Sequence, residues 1–268
     1  MTNYILIDGS YFIFYRVFAL HIWWRNAKPE IKLENPFQNE EFVEKYKSTF
    51  KSKIEEIKKK LKIKDAIVYV GKDCRQSDIW RMKLHPQYKA GRNEEKNKEA
   101  NVSNFFALTY NEKLFENAGV DKILGMNHLE ADDCLALTAK HLYKQKEDNI
   151  ITIITSDHDY IQLSNERINL INLKYKSLLD SKSYSGEPER DLFYKVVLGD
   201  KSDNILPIFN KCGKKTVEKC YDDKEFFLSK LKEENKEEVF ELNKKLICFD
   251  SIPSELVELF YNNILTQL

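Results

Sequence analysis

Three short apolar runs in this chain each lead into an aspartate. YILID ends at Asp8, AIVYVGKD reaches Asp73 just past its run, and IITIITSD ends at Asp157. Each run is rich in β-branched residues and bounded by Gly, Ser or Lys, the pattern of a strand buried on both faces. Helical periodicity separates them. Phe42, Tyr46, Phe50, Ile54, Ile57 and Leu61 mark one long amphipathic helix, Phe105, Leu108, Leu114 and Phe115 a second, and a third starts near His128. Strands alternating with helices imply an α/β fold, a mostly parallel twisted sheet with helices on both faces. Ligands of such sheets collect outside the carboxyl ends of the strands. Asp8, Asp73 and Asp157 are therefore expected on one rim.

Further acids stand at element ends. HLEADDCLAL carries Glu130, Asp132 and Asp133 at a helix start, where carboxylates satisfy orphan N–H groups and complement the helix dipole. Two acids would suffice for that; a third adds repulsion that something must offset. TSDHDY supplies Asp157 and Asp159, and LGDKSDNI supplies Asp200 and Asp203, three apart on one helical turn. So many carboxylates at one rim cannot all ionise without counter-charge. Hard divalent cations supply it: magnesium takes oxygen ligands and few direct carboxylates, and two such ions about 4 Å apart suit phosphoryl chemistry. Histidine gives no rival account, because His21, His85, His128, His141 and His158 lack metal-ligand spacing. The chain has no Gly-rich phosphate loop, no GxSxG and no Cys–His pairing for covalent catalysis. One local phosphate-binding candidate exists: Gly213 followed by Lys214, Lys215 and Thr216 at a helix start.

Composition sets the surroundings. The 268 residues are 42% hydrophobic and 32% charged with zero formal net charge, enough for one large α/β domain or two small ones. That zero hides segregation. Basic residues recur from Lys72 to Lys98 while the acids cluster at strand ends, suggesting a surface for a polyanion beside a cation pocket. Lys51 to Lys64 reads as a solvated helix face. Five cysteines without CxxC or zinc-like spacing read as reduced thiols of an intracellular protein, in cytoplasm, nucleus or a viral replication compartment. No apolar run approaches the 18–20 or so residues that span a bilayer, so no membrane role is expected. MTNYILIDGS reads as a first strand rather than a signal segment. Three stretches follow: an α/β core over 1–190, an insertion over 76–102 within it, and a wholly helical segment over 190–268 packed on the core as one catalytic unit. The insertion is polar and basic, yet Trp80, Met82, Leu84 and Tyr88 are too apolar for a plain linker.

These residues, in this order, resemble the 5′-nuclease family: flap endonucleases, the 5′–3′ exonuclease domain of bacterial DNA polymerase I, and phage enzymes of the T4 RNase H type. LIDGSYFIFYR is similar to the family's first motif, which contributes an aspartate, here Asp8. IWRMKLHPQYKAGR is similar to the entrance of its arch, with Arg81, Tyr88, Lys89 and Arg92 on the recurring basic and aromatic positions. LEADD, TSDHD and GDKSDNI resemble its ExDD, DxD and GDxxDNI motifs. The chain departs from the family in two places. Arg16 stands one residue farther from Asp8 than the family's arginine, and LPIFNKCGKKTV keeps Gly213 and Lys215-Thr216 of a helix-hairpin-helix but lacks its other glycines.

The resemblance implies a PIN-like 5′-nuclease fold and a metal-dependent, structure-specific 5′-flap endonuclease and 5′–3′ exonuclease. One magnesium site (manganese a substitute) would draw on Asp73, Glu130, Asp132 and Asp133 with Asp8 nearby; a second would use Asp157, Asp159 and Asp203 with Asp200. Lys89 and Arg92 would stabilise charge on the scissile phosphate. Arg16, Arg81, Tyr88 and the residues from Gly213 to Thr216 would bind DNA. The implied substrates are 5′ flaps, nicks, gaps and RNA–DNA hybrids, and the implied partners a polymerase, clamp or single-strand-binding protein. Tyr11 and Phe12 fit either base stacking or the core. Three rivals stay open: a PIN-type ribonuclease, an inactive branched-DNA-binding protein, and a cation-stabilised scaffold.

Overall fold

The first strand is the central one. β1 (Asn3–Asp8) pairs in parallel with β2 (Ala66–Gly71) on one side and β4 (Ile150–Ile154) on the other, and the sheet runs β3-β2-β1-β4-β5. All its neighbours are parallel; β3 (Lys122–Leu124) and β5 (Ile168–Ile171) are the edges, both too short to stand out as apolar runs. The computed structural model describes residues 1–90, 92, 98 and 100–268. The 76–102 insertion therefore falls partly outside the described residues.

Alternate side chains of β1 feed two cores. Ile5 and Ile7 pack with α1 (Gly9–Ala27), α2 (Glu40–Leu61) and α4 (Val102–Asn111) on one face. Phe12, Phe50 and Phe115, the last from α5 (Leu114–Asn117), meet there with ring centroids 4.9–5.6 Å apart. Tyr4 and Leu6 pack against α6 (Ala131–Gln145) on the other face. Burying each such aromatic or aliphatic side chain contributes roughly 1.5–3 kcal/mol, so both faces resist sliding by one residue.

Two glycines let α1 start directly against β2. A Cβ on Gly9 would lie 2.4 Å from the Gly71 carbonyl oxygen, and one on Gly71 would lie 2.7 Å from the Leu135 side chain. Any side chain at either position pushes the helix starts away from the strand ends.

Beyond β5 the chain is helical, as expected: α7 (Pro188–Leu198), α8 (Lys214–Asp222), α9 (Lys224–Glu233), α10 (Glu237–Ile247) and α11 (Ser254–Asn263). These helices do not form a separate appendage. Phe249, Phe260 and Leu265 enter the sheet-face core with Tyr4 and Leu142. A third apolar cluster joins Val196, Val217, Phe227 and Leu246 to Ile79 and Tyr88 from the insertion. The start of the insertion, including α3 (Trp80–Leu84), is thus packed down onto the helical segment.

Candidate metal centre

The strand order places the site. From β1 the chain steps outward to β2 and β3, then returns across the sheet to β4 on the other side of β1. The crevice opens where the direction reverses, between the ends of β1 and β4. Asp8 terminates β1 there and caps α1, its Oδ1 accepting the Tyr11 N–H at 2.9 Å; the Thr155 hydroxyl donates to Oδ2 at 3.2 Å. Asp73, two residues past β2, accepts the Ala131 N–H at 2.8 Å and the Ser10 hydroxyl. Helix starts and strand ends share this rim, so the acids double as caps.

Partial burial pushes the Asp8 carboxyl up to about 7; the Tyr11 N–H opposes this, and Asp73, Asp157 and Asp132 add to it. Those neighbours converge on Asp8 from three other loops, as the rim argument requires. Two tighter groups flank it. One carboxylate oxygen each from Glu130, Asp132 and Asp133 lie within 4.8 Å of one another, and so do oxygens of Asp159, Asp200 and Asp203. Asp157 caps the turn that follows β4 by accepting the Asp159 N–H at 2.9 Å, and its side chain faces solvent.

The groups differ in their counter-charges. Glu130 accepts Arg81 Nη1 at 2.9 Å and also contacts Lys89 Nζ; Tyr88 Oη donates to it at 3.3 Å. Asp133 is wholly buried: Oδ1 takes Arg81 Nη2 at 2.8 Å, while Oδ2 takes Arg81 Nη1 at 2.8 Å, Trp80 Nε1 at 3.0 Å and the Glu130 N–H at 3.2 Å. Both oxygens of this expected ligand are therefore engaged, and Asp133 closes a reciprocal capping box with Glu130 at the start of α6. In the other group Arg92 Nη2 holds Asp203 at 2.9 Å. Lys195 on α7 contacts Asp159 and lies 2.8 Å from Asp200. Burial would raise the Asp200 carboxyl, but Lys195 and the Ser202 N–H and hydroxyl bring it down to about 2.

The donors suit a hard ion. Carboxylates from five segments of the chain converge, and neither tight group contains a thiol or imidazole. That set fits magnesium or manganese better than a soft-ligand metal.

The structure places several of the expected DNA-binding side chains in the interior. Arg81 does not reach outward to DNA: its side chain is 2% exposed, spent on Asp133, Glu130 and the Leu246 carbonyl, and stacked on Trp80. Tyr88 is 3% exposed and packs in the third cluster, so its ring offers no face to a base. Arg16 sits between α1 and α2 on the Thr49 hydroxyl, two helical turns past Asp8. Phe12 belongs to the core, and the Tyr11 hydroxyl accepts the Leu173 N–H at 3.0 Å, so neither is free to stack. In contrast, Gly213, Lys214 and Lys215 are exposed, with Thr216 half-buried, in the first turn of α8 with Gly213 as its cap. Lys195 was not foreseen. It lies five residues before Asp200 in a helix, a spacing with no periodic signal; only the bend at Gly199, with φ of +73°, turns Asp200 back onto it.

Known proteins resemble this chain in sequence and in fold. The chain is 34% identical over 109 residues to a 5′-3′ exonuclease of Buchnera aphidicola from Schizaphis graminum, covering 39% of this chain and 37% of that one. It is 36% identical over 93 residues to the thermostable DNA polymerase I of Thermus thermophilus, 34% of this chain and 11% of that one. The chain thus matches well under half the length of these relatives. Its fold resembles that of the bacteriophage T5 5′-exonuclease, solved with zinc ions bound: TM-score 0.65 at 19% identity, with 98% of each chain covered. The phage T5 flap endonuclease in a pseudo-enzyme–product complex with DNA and metal ions superposes with TM-score 0.63, also at 19% identity and 98% coverage of each chain. Residues 3–187, more than half the chain, match the family described as the 5′-3′ exonuclease, N-terminal resolvase-like domain, and the chain belongs to that family.

Proposed function

We propose that this protein is a divalent-metal-dependent 5′-nuclease that hydrolyses phosphodiesters of branched or nicked DNA, with magnesium as its ion. The observation that carries the reading is the convergence of carboxylates from five separate segments of the chain on the β1/β4 crevice, flanked by Lys89 and Arg92. Family membership supports it, as do the metal ions and DNA bound in the phage T5 structures. Asp8, Asp73, Glu130 and Asp132 would hold one ion and Asp157, Asp159, Asp200 and Asp203 the other, with Asp133 fixing Arg81 and the start of α6. When bound, such ions lower the pKa of water and neutralise charge on the leaving oxygen. The protein's own cations do the rest. Lys89 and Arg92 now lie on Glu130 and Asp203, and would exchange those carboxylates for the scissile phosphate as ions enter. The exposed Gly213–Thr216 turn would take a duplex phosphate on its N–H groups. RNA–DNA hybrids, and a polymerase, clamp or single-strand-binding protein as partner, belong to the same reading. So does work inside a cell or viral replication compartment, supported by five unpaired cysteines.

The test is a cleavage assay on end-labelled 5′-flap, gapped-duplex, hybrid and single-stranded RNA substrates, with magnesium and with chelator. Magnesium-dependent release of 5′ fragments from the flap or gapped duplex is expected. Cleavage of RNA alone would favour a PIN-type ribonuclease, and tight flap binding without cleavage an inactive binder. Lys89→Ala is expected to lower the single-turnover rate by roughly 10²-fold, the scale of losing one transition-state donor. An unchanged rate removes Lys89 from the chemistry.

Protons and cations should compete for the rim. Asp8 has a folded value near 7 against an ordinary carboxylate near 4, so the metal-free folded state binds its proton more tightly than the unfolded state. Its contribution to stability is full at low pH and is lost as pH rises from about 4 through 7. Magnesium should therefore raise the melting temperature more at pH 8 than at pH 5.5, and Asp8→Asn should narrow that difference. Calorimetry showing equal gains at both pH values would contradict it.

A further inference from the structure

Lys195 occupies the place where a cation of the second group would bind. Its Nζ touches Asp159 and lies 2.8 Å from Asp200, and both carboxylates contribute oxygens to the group that includes Asp203. An ion bridging those oxygens at about 2.1 Å from each would come within roughly 3 Å of the ammonium. Two cations that close repel strongly, so ion and lysine exclude one another. The lysine also has somewhere to go. A cavity of about 140 Å³ opens beside it, lined by His158, Asp159, Gln162 and Asp191. Asp191 precedes Lys195 by four residues on α7, the favourable order for an acid–lysine pair on a helix.

We propose that Lys195 is a positioning residue with two stations, a placeholder cation between Asp159 and Asp200 that withdraws toward Asp191 when a divalent ion enters. This rests on the two-site reading above. In the metal-free protein the lysine holds the carboxylates at ligand spacing and prevents their mutual repulsion from spreading the loop that carries Asp200. The cost is affinity: every ion that binds there must displace an internal ion pair. Lys89 must also leave Glu130 at the first site, but the second must lose Lys195 from two carboxylates and Arg92 from a third, and is consequently the weaker of the two.

The full chain should be titrated with Mn²⁺ while free ion is counted by electron paramagnetic resonance, and its melting followed by circular dichroism without metal. Wild type is expected to bind two ions with unequal affinities. Lys195→Met should tighten the weaker site roughly tenfold while lowering the metal-free melting temperature. Lys195→Arg, which keeps a cation on the same stem, should leave the weaker site within about twofold of wild type. A purely structural lysine would lower the melting temperature of the Met variant without tightening any site, and that outcome overturns the placeholder. Two ions in wild type with unchanged or weaker binding in a folded Met variant overturns it equally. Fewer than two ions in wild type overturns the two-site reading itself, and the placeholder with it.

Discussion

Asp157→Asn is expected to lower magnesium-dependent cleavage of a 5′-flap substrate by roughly 10³-fold, about 4 kcal/mol of barrier, while changing flap binding less than about threefold. The reason is positional. Asp157 follows β4 at the mouth of the crevice, and its carboxylate is one of those that bear on Asp8. Asparagine preserves shape and still accepts the Asp159 N–H that shapes the turn, so the fold should survive. What is lost is one negative charge where cations must be held. In the proposed function DNA binding would rely instead on Lys89, Arg92 and the exposed Lys214 and Lys215, none of which hydrogen-bonds Asp157. Single-turnover rates with magnesium, set beside a binding assay in chelator, separate the two effects. Near-normal cleavage would refute the proposed site.

Arg81→Met should unfold the protein well before it affects DNA binding, with a loss of roughly 3–5 kcal/mol. The arginine is 2% exposed and satisfies two carboxylates that are themselves almost wholly buried. Removing it leaves Glu130 with Lys89 alone, and Asp133 with no cation at all. Burial already pushes the Asp133 carboxyl up, with Arg81 the main force holding it down. Losing Arg81 would therefore drive Asp133 to take up a proton or open the start of α6. In a chain of this size such a loss lowers the melting temperature by roughly 10 °C. Met fills similar volume, so a packing defect alone predicts far less. A variant with unchanged melting and weakened flap binding would restore Arg81 to the DNA-facing role its position in the sequence suggests.

These two residues show what the sequence discloses and what it withholds. Asp157 was legible because strand ends are marked by composition and their acids must share a rim in any parallel sheet. The same logic located the crevice, the helices on both faces and the helical segment. β3 and β5 escaped because three or four residues carry too little pattern. Arg81 is a different case. A motif fixes a residue's neighbours in the chain but not the direction of its side chain, and α3 turns this one inward onto Glu130 and Asp133. Lys195 was invisible because its partners are brought to it by a single bend at Gly199. Charges that answer one another across loops are written only in three dimensions.

The central position of β1 also sets a timetable. Its first neighbour, β2, follows about sixty residues later, but its second, β4, begins only at Ile150. At a ribosomal rate of roughly 10 residues per second, one edge of the middle strand waits on the order of ten seconds for its partner. Such long-range parallel pairing is slow to form and exposed to mispairing while it waits. The acid rim is later still, since Lys89 gains its partner only with Glu130 and Arg92 has no carboxylate to close upon before Asp203, the last rim acid made. A nascent chain therefore cannot assemble the proposed metal centre before Asp203 has been made, and the rim then closes in one step.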